Sequence, residues 1–330
     1  MNDRLKRNII PRIVAAAILL TLTIPEALAQ IEGISCCDWM MLKRQKLGAF
    51  ALAKDINADG VEMDMGGLGR RALFDNRFRG NEKDTKQFRA AADSLGIQVH
   101  SMAMSGFFAQ SLIKRNFDEY TTPEGKKECR THTDAEHTEN YRQLFADCFE
   151  TMEKFGAKVA FLPLGGSGSE WQKGSGEEYD ILCSRLRMAG EMARQHGVVI
   201  GIRTQMPAEF SKKMLQDIGS KGILLYYNFQ DACDRFKAGQ TEGASSSTEL
   251  ICRELKTLGR KRICQIHVSN TDRVTLRHDT DIDMQEVKKT LQKIKYCGWL
   301  TVERSRNAQD VRNVKGNFGD NVAYLKEVFF

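Results

Sequence analysis

The stretch Cys264-Gln-Ile-His267 and its counterpart Leu300-Thr-Val-Glu303 decide the fold of this chain. Each closes a short apolar run with a polar residue, and each follows a segment with helix-like spacing. Arg203 and Asn228 end two earlier apolar runs in the same way. The four polar residues are roughly 25, 39 and 36 positions apart, about one strand-plus-helix unit each. The spacing therefore predicts four consecutive parallel strands that present Arg, Asn, His and Glu at one edge.

Counting outward from these runs gives eight candidate strands, separated by longer amphipathic segments. They are Ile34 to Trp39, Gly60 to Met65, Val99 to Ser105, Val159 to Leu164, Val198 to Thr204, Ile223 to Phe229, Ile263 to Val268 and Leu300 to Arg304. Such alternation is typical of repeated βα units around a parallel sheet. Eight units predict an α/β fold of the closed (β/α)8 type, a TIM barrel.

Three of the loops that follow predicted strands are long: Gly106 to Ala135, Gly165 to Glu178, and Asn270 to Asp283. In a barrel of this kind the loops after the strands lie over the active face. We therefore expect these loops to form lids or substrate walls. The second loop is rich in glycine but lacks the Lys-Ser ending of a P-loop, so no nucleotide cofactor is predicted.

The first 29 residues have the pattern of a secretory signal peptide. Arg4, Lys6 and Arg7 give a basic start, residues 13–24 are apolar, and Ala27-Leu-Ala29 supplies small residues before Gln30. An uncleaved anchor is the alternative, but a membrane span needs roughly 20 apolar residues. The pattern predicts removal of residues 1–29 and an exported, periplasmic or extracellular protein with no membrane attachment. Residues 30–330 are then one barrel domain.

Composition limits the classes of partner. The formal net charge of +6, with 28% charged and 42% hydrophobic residues, describes a globular domain and does not predict nucleic-acid binding. The nine cysteines include no C-x-x-C pair, and Cys148, Cys183, Cys252 and Cys264 lie in helical or strand patterns. We expect them to be buried small hydrophobes rather than a disulfide framework. The sequence does not indicate an oligomeric state.

Four segments carry a resemblance to a known family. They are Asp59-Gly-Val-Glu62, Ala160-Phe-Leu-Pro-Leu-Gly165, Gln265-Ile-His267 and Val302-Glu-Arg-Ser305. With them the chain resembles the sugar phosphate isomerase/epimerase group of the xylose isomerase-like TIM barrels, from about Ile34 to Phe330. The resemblance implies a small-molecule carbohydrate as substrate. It leaves the reaction open, because the superfamily also contains dehydratases, lyases and an apurinic endonuclease branch.

The resemblance also implies one divalent metal, Mn or Mg, held by Glu, Asp, His and Glu at strands five to eight. His267 and Glu303 match the last two positions, Asn228 replaces the aspartate, and Arg203 replaces the first glutamate. Metal ligands would then be His267, Glu303 and Asn228. The four residues have a summed charge near zero, and the guanidinium opposes a dication by several kcal/mol, in order of magnitude. We predict a degenerate metal site in which Arg203 replaces the metal's charge and pairs with Glu303.

The remaining candidate site residues are assigned by position. Glu303, Arg203 and Glu62 are predicted to be catalytic, Glu62 because it matches the family's strand-two acid. Predicted substrate-binding residues are His267, Asn228, Gln265, His100 and Trp171. For Glu62 and His100 the alternative is a structural role inside the barrel, and for Trp171 it is a hydrophobic plug rather than a surface that stacks on a sugar ring.

The leading functional prediction is an exported sugar isomerase or epimerase that transfers a proton next to a carbonyl group, with Glu303 as the base. A lyase or hydrolase on a keto-glycoside is the nearest alternative, because elimination also begins by removing that proton. A non-catalytic sugar-binding barrel is the alternative from another class, favoured by the missing strand-five glutamate. The endonuclease branch needs a multi-metal cluster that these strand ends do not offer.

Overall fold

The computed structural model describes residues 30–66, 76–105, 112–113, 117–121, 127–131, 133–165, 168–269 and 274–330. The predicted signal peptide and parts of all three predicted long loops lie outside these ranges. Within them, no helix has both the length and the apolar character that a membrane span requires.

Eight parallel strands close into a barrel in which the last strand pairs with the first. In chain order the barrel strands are Gln30–Cys37, Gly60–Asp64, Gln98–Ala103, Val159–Pro163, Val199–Arg203, Ile223–Asn228, Ile263–Ser269 and Cys297–Arg304. All eight coincide with predicted strands to within a few residues. The predicted (β/α)8 fold is confirmed.

Helices cover the outside of the barrel. They are Gly48–Asp55, Glu82–Leu95, Asp134–Phe155, Glu177–Gln195, Ala208–Ile218, Phe229–Lys237, Ser247–Leu258, Met284–Lys293 and Val314–Phe329, with short 3-10 turns at Glu170–Lys173, Arg260–Arg262 and Leu276–His278. The longest begins at a capping box in which Thr133 and Glu136 satisfy each other's backbone N–H groups, and it ends at Gly156, with a φ of 74°. Such caps fix where each helix returns to the sheet.

One element departs from the prediction. An antiparallel hairpin, Phe117–Thr121 with Lys127–Thr131, lies in the segment predicted as the first long loop, between the third barrel strand and the next helix. Turn signals in a polar stretch do not distinguish a short hairpin from a loop.

The larger apolar core lies between strands and helices, and the barrel interior has a separate, smaller one of Ala103, Phe161 and Tyr226. Trp299 fills the N-terminal end of the barrel, where Gly33 leaves room for its ring, since a Cβ there would lie 2.5 Å from the indole. The rest of the interior is polar, whereas TIM barrels usually fill this space with branched apolar residues. The interior of this barrel therefore differs from the usual apolar interior of a TIM barrel.

Eight cysteines are free, namely Cys36, Cys37, Cys148, Cys183, Cys233, Cys252, Cys264 and Cys297. Cys148, Cys183 and Cys252 are buried as predicted, whereas Cys264 is only partly buried. The prediction of buried small hydrophobes is confirmed for the first three.

Candidate active site

An ion pair lies at the mouth of the barrel, where Arg203 ends the fifth strand and Glu303 lies near the end of the eighth. The pairing of the seventh and eighth strands shifts register between Val302 and Arg304, and such a bulge re-aims the side chain that it carries. Arg203 Nη1 donates to Glu303 Oε1 at 2.7 Å. The predicted pairing of these two residues is therefore present.

Asp231 is the second partner of the guanidinium. Arg203 Nε donates to Asp231 Oδ2 at 2.9 Å and Nη2 donates to Oδ1 at 2.7 Å, a bidentate contact that fixes the guanidinium plane. The two carboxylates and the guanidinium have a summed charge of about −1. The sequence analysis missed Asp231, which lies three residues after the strand end at Asn228, in the first turn of the next helix.

The second oxygen of Glu303 is also engaged. It accepts from Asn228 Nδ2 at 2.7 Å and from Ser269 Oγ at 3.1 Å. Burial opposes ionisation of Glu303, but Arg203, His267 and these hydrogen bonds together outweigh it and lower the Glu303 pKa to about 2. Glu303 is a fixed anion with 16% of its side chain exposed.

Asn228 does not present an oxygen to the mouth, which corrects its prediction as a metal ligand. Its Oδ1 accepts from the backbone N–H of Gln230 at 2.8 Å, as the cap of the helix that begins at Phe229. The amide nitrogen, not the oxygen, therefore faces Glu303.

Directly below the mouth lies a second carboxylate, Glu62, which is fully buried. Its Oε2 accepts from Tyr226 Oη at 2.6 Å and from Ser101 Oγ at 2.7 Å, while Oε1 lies 2.7 Å from His267 Nε2. Burial disfavours the charge, but His267, Tyr226 and Ser101 together lower the Glu62 pKa below its ordinary value. Tyr226 and Ser101 are further residues that the sequence analysis missed.

His267 connects the two carboxylates. Nε2 faces Glu62, and Nδ1 lies 3.9 Å from Glu303 Oε1. The side chain is fully buried, and Nδ1 has no hydrogen-bond partner among the residues that the structure describes. The ring is held by Phe161 and Tyr226, whose centroids lie 4.6 and 4.2 Å away.

His100 and Gln265 lie one layer deeper, which corrects their prediction as substrate-binding residues. His100 stacks on Trp299 at 4.3 Å, and Gln265 Nε2 lies 2.8 Å from Thr301 Oγ1 and 3.0 Å from His100 Nδ1. Burial lowers the His100 pKa to about 4. Both are buried in the interior, a position that favours the core-histidine alternative.

Trp171 is also placed wrongly by the sequence prediction of a sugar-stacking surface. Its side chain is fully buried and meets the ring of Phe210 edge-on, at 6.3 Å between centroids. Trp171 lies in the short 3-10 turn Glu170–Lys173, and its burial favours the plug alternative.

A family model described as a xylose isomerase-like TIM barrel matches residues 50–328. The chain belongs to this family. Its match covers every barrel strand except the first.

Solved structures of two sugar epimerases and a sugar phosphate isomerase/epimerase have a similar fold. The 3-keto-D-glucoside 4-epimerase of E. coli is 14% identical, with a TM-score of 0.61 and coverage of 89% of this chain and 98% of that one. D-psicose 3-epimerase of Clostridium cellulolyticum, solved with D-tagatose, is 11% identical, with a TM-score of 0.64 and coverage of 90% and 99%. A sugar phosphate isomerase/epimerase of Parabacteroides distasonis is 10% identical, with a TM-score of 0.60 and coverage of 89% and 93%.

No curated protein matches the chain. At identities this low, the solved structures establish the fold and not the reaction.

The metal site that the xylose isomerase-like resemblance implies does not fit the residues at the mouth. The fifth strand contributes the Arg203 guanidinium, and the Asn228 oxygen caps a helix. Only His267 and Glu303 remain, and Glu303 already accepts from three donors. Mn and Mg require several oxygen ligands.

One group within the described ranges has the composition of a metal site. The ligand atoms of Cys37, Glu62 and His267 lie within 4.8 Å of one another, and all three side chains are buried. His267 Nε2 and Glu62 Oε1 are 2.7 Å apart, closer than the ~3.3 Å expected for two ligands of one tetrahedral ion. Burial, and then Glu62, raises the Cys37 pKa well above its ordinary value, so the thiol retains its proton. As it stands the group is hydrogen-bonded, not arranged around an ion.

Proposed function

We propose that this protein removes and returns a proton on the carbon next to the carbonyl group of a sugar or keto-sugar. The observation that carries the proposal is the Arg203 guanidinium, fixed between Asp231 and Glu303 at the mouth of a closed barrel, directly above a buried imidazole. The names of the neighbouring structures, a 3-keto-glucoside 4-epimerase and a psicose 3-epimerase, support this class of substrate.

Arg203 is suited to stabilise the oxygen that becomes negative when the proton leaves. A guanidinium has five N–H donors, and the described contacts use three of them, which leaves one on each terminal nitrogen. Burial works against its charge, yet Glu303 and Asp231 raise the Arg203 pKa, so the cation is permanent. A fixed cation aimed at a developing enediolate lowers the barrier without a metal at that position.

Glu303 as the base stays a prediction. A general base works best when its pKa lies near the operating pH, and a pKa of about 2 makes Glu303 a weak proton acceptor at neutrality. Its ionised oxygens are better suited to hold Arg203 and to accept a hydrogen bond from a substrate hydroxyl.

The proposal is tested by following the exchange of carbon-bound protons with deuterated solvent by NMR, over hexoses, pentoses and 3-keto-glycosides. Exchange or epimerisation of at least one sugar is the expected result. Binding of a sugar without exchange would replace the proposal with the sugar-binding barrel. An unsaturated product would instead support the lyase alternative.

The metal part of the proposal is tested by Arg203→Glu. The substitution places three carboxylates at the mouth, so the affinity for manganese should rise at least tenfold, because hard dications follow carboxylate number. Calorimetric titration of the wild type and the variant measures the difference. Equal affinities would show that Arg203 does not determine metal binding here.

We further propose that the protein is exported after removal of residues 1–29. N-terminal sequencing of the protein from the cell envelope or periplasmic fraction should begin at Gln30. An intact chain that begins at Met1 in the cytosol would contradict export.

A further inference from the structure

We infer that Nδ1 of His267 is the atom that accepts the substrate's carbon-bound proton, and that Glu62 is the positioning residue that prepares it. The inference rests on the proposed function and identifies the group that performs its chemical step. It replaces Glu303 in that role with a residue one layer deeper.

The partners of Glu62 fix the tautomer of His267. Tyr226 and Ser101 donate hydroxyl protons to Oε2, and Cys37 directs its thiol at Oε1 from 3.5 Å. An ionised carboxylate only accepts hydrogen bonds, so the imidazole nitrogen 2.7 Å from Oε1 must carry its proton. In the neutral ring the lone pair is then on Nδ1, on the side of Glu303.

Nδ1 and the Glu303 oxygens differ in the hydrogen bonds that they already accept. Both Glu303 oxygens accept from donors, namely Arg203, Asn228 and Ser269. A proton arriving there removes the negative charge that strengthens the hydrogen bond from Arg203. Nδ1 is buried and has no partner among the described residues, so it can accept a proton without breaking a contact. A buried acceptor left without a donor is costly, which favours a ligand that supplies one.

Two carboxylates and two neutral groups surround the ring of His267. The titratable groups facing His267 are Glu62 from the second strand, Glu303 from the eighth, Cys37 from the first and Tyr226 from the sixth. Burial raises the pKa values of the thiol and the phenol, so both stay neutral. The ring that receives the proton therefore lies between two carboxylates, Glu62 at Nε2 and Glu303 near Nδ1.

The step conserves atoms and electrons. The C–H bond next to the carbonyl breaks, its proton forms a new bond to Nδ1, and its electron pair becomes the carbon–carbon double bond of an enediolate. The negative oxygen faces Arg203. Return of the proton from Nδ1 to carbon regenerates the neutral imidazole, and no oxidant or reductant is needed.

The experiment compares deuterium exchange in wild type and four variants on a sugar that the wild type exchanges. His267→Gln should lower kcat by about 10²–10⁴-fold, because proton transfer by a positioned group contributes that much. Glu62→Gln should lower kcat by a similar factor with KM little changed, since an amide no longer selects the Nε2–H tautomer. Glu303→Gln should act mainly on KM. Glu153→Gln is the matched control, because it alters a surface carboxylate 2.7 Å from His196 Nδ1, and exchange should be unchanged.

The tautomer provides a readout that is independent of turnover. In protein labelled with ¹⁵N at histidine, with His267→Gln to assign its signal, His267 should show the Nε2–H form in the wild type and lose that preference in Glu62→Gln. A circular dichroism spectrum and thermal melt of each variant confirm folding; if Glu62→Gln does not fold, Glu62→Asp replaces it. The Nδ1–H form in the wild type would overturn the inference.

Four further outcomes are distinguishable. Exchange in His267→Gln at the wild-type rate would overturn the inference and leave the proposed function intact. Exchange lost in Glu303→Gln alone would return the base to Glu303. No exchange by the wild type on any sugar would overturn the proposed function itself, and the inference with it. One tightly bound zinc per wild-type chain, absent from His267→Gln, would also overturn the inference, because a metal at Cys37, Glu62 and His267 uses the same ring.

Discussion

The mouth and the interior of this barrel both contain a buried or nearly buried carboxylate, and they stabilise it in different ways. At the mouth, Glu303 is paired with a permanent cation, Arg203, which Asp231 shares. In the interior, Glu62 has no Lys or Arg in contact among the described residues and is held by two hydroxyls and an imidazole. His267 faces both carboxylates, Glu62 through Nε2 and Glu303 through Nδ1.

The difference separates two tasks. An ion pair holds charge in place but resists gaining a proton, because protonation of either carboxylate breaks a charge-assisted contact. A hydroxyl and imidazole network can redistribute protons without separating charge. In this account the mouth therefore supplies a fixed electric field, and the layer below supplies the movable proton.

The largest effect that would test this comparison is expected for Arg203→Leu. It leaves Asp231 and Glu303 without a cation in a site where the arginine is only 17% exposed, so we expect a loss of about 3 kcal/mol in the free energy of unfolding. Arg203→Lys keeps the charge but not the bidentate geometry of the guanidinium, and should lose about half as much free energy of unfolding. Urea denaturation at neutral pH measures both. A leucine variant as stable as the wild type would show that the mouth ion pair is not stabilising.

An effect of similar size is expected in the pH dependence of stability, because His100 in the interior and Glu303 at the mouth titrate in different pH ranges. The His100 pKa falls from an ordinary 6.5 to about 4, so below pH 6.5 the unfolded chain binds a proton that the folded chain refuses until about pH 4. The His100 contribution to the free energy of unfolding should therefore fall by about 3 kcal/mol over that window as pH is lowered. The Glu303 pKa falls from 4.5 to about 2, so its contribution is present above pH 4.5 and is lost as pH falls towards 2.

His100→Gln should abolish the loss of stability between pH 6.5 and about 4 and leave the loss between pH 4.5 and about 2. Arg203→Leu should weaken only the second. Unfolding curves collected at intervals between pH 7 and pH 2 test this assignment. A loss between pH 6.5 and about 4 that persists in His100→Gln would mean that another interior group titrates there.

The smallest effect concerns the hydroxyls of the interior. Thr301 Oγ1 accepts from Ser35 at 2.9 Å and from Gln265 at 2.8 Å, so Thr301→Val leaves buried donors unpaired at a cost of about 1–2 kcal/mol. Ser94→Ala is the control, because its exposed hydroxyl bonds only to the Ala91 carbonyl and its loss should cost less than about 0.5 kcal/mol. Equal costs in thermal or urea unfolding would remove the distinction between interior and surface.

The sequence predicts the barrel well because strand alternation and helix spacing are local properties. It also predicts that Arg203 meets Glu303, since both end strands at the same edge. It does not predict how deep each side chain lies in the barrel. His100 and Gln265 share the inward face with His267, and only the strand register around the closed barrel determines how far each lies from the mouth. Asp231 was missed because it lies on a helix rather than at a strand end.

The central claim is that proton transfer here relies on Arg203 and the layer beneath it, without a metal at the mouth. The most direct measurement is the NMR exchange of a sugar's carbon-bound proton with deuterated solvent, by wild-type protein before and after exhaustive chelation. The account predicts the same exchange rate in both samples. Exchange that disappears on chelation and returns with manganese or magnesium would contradict it.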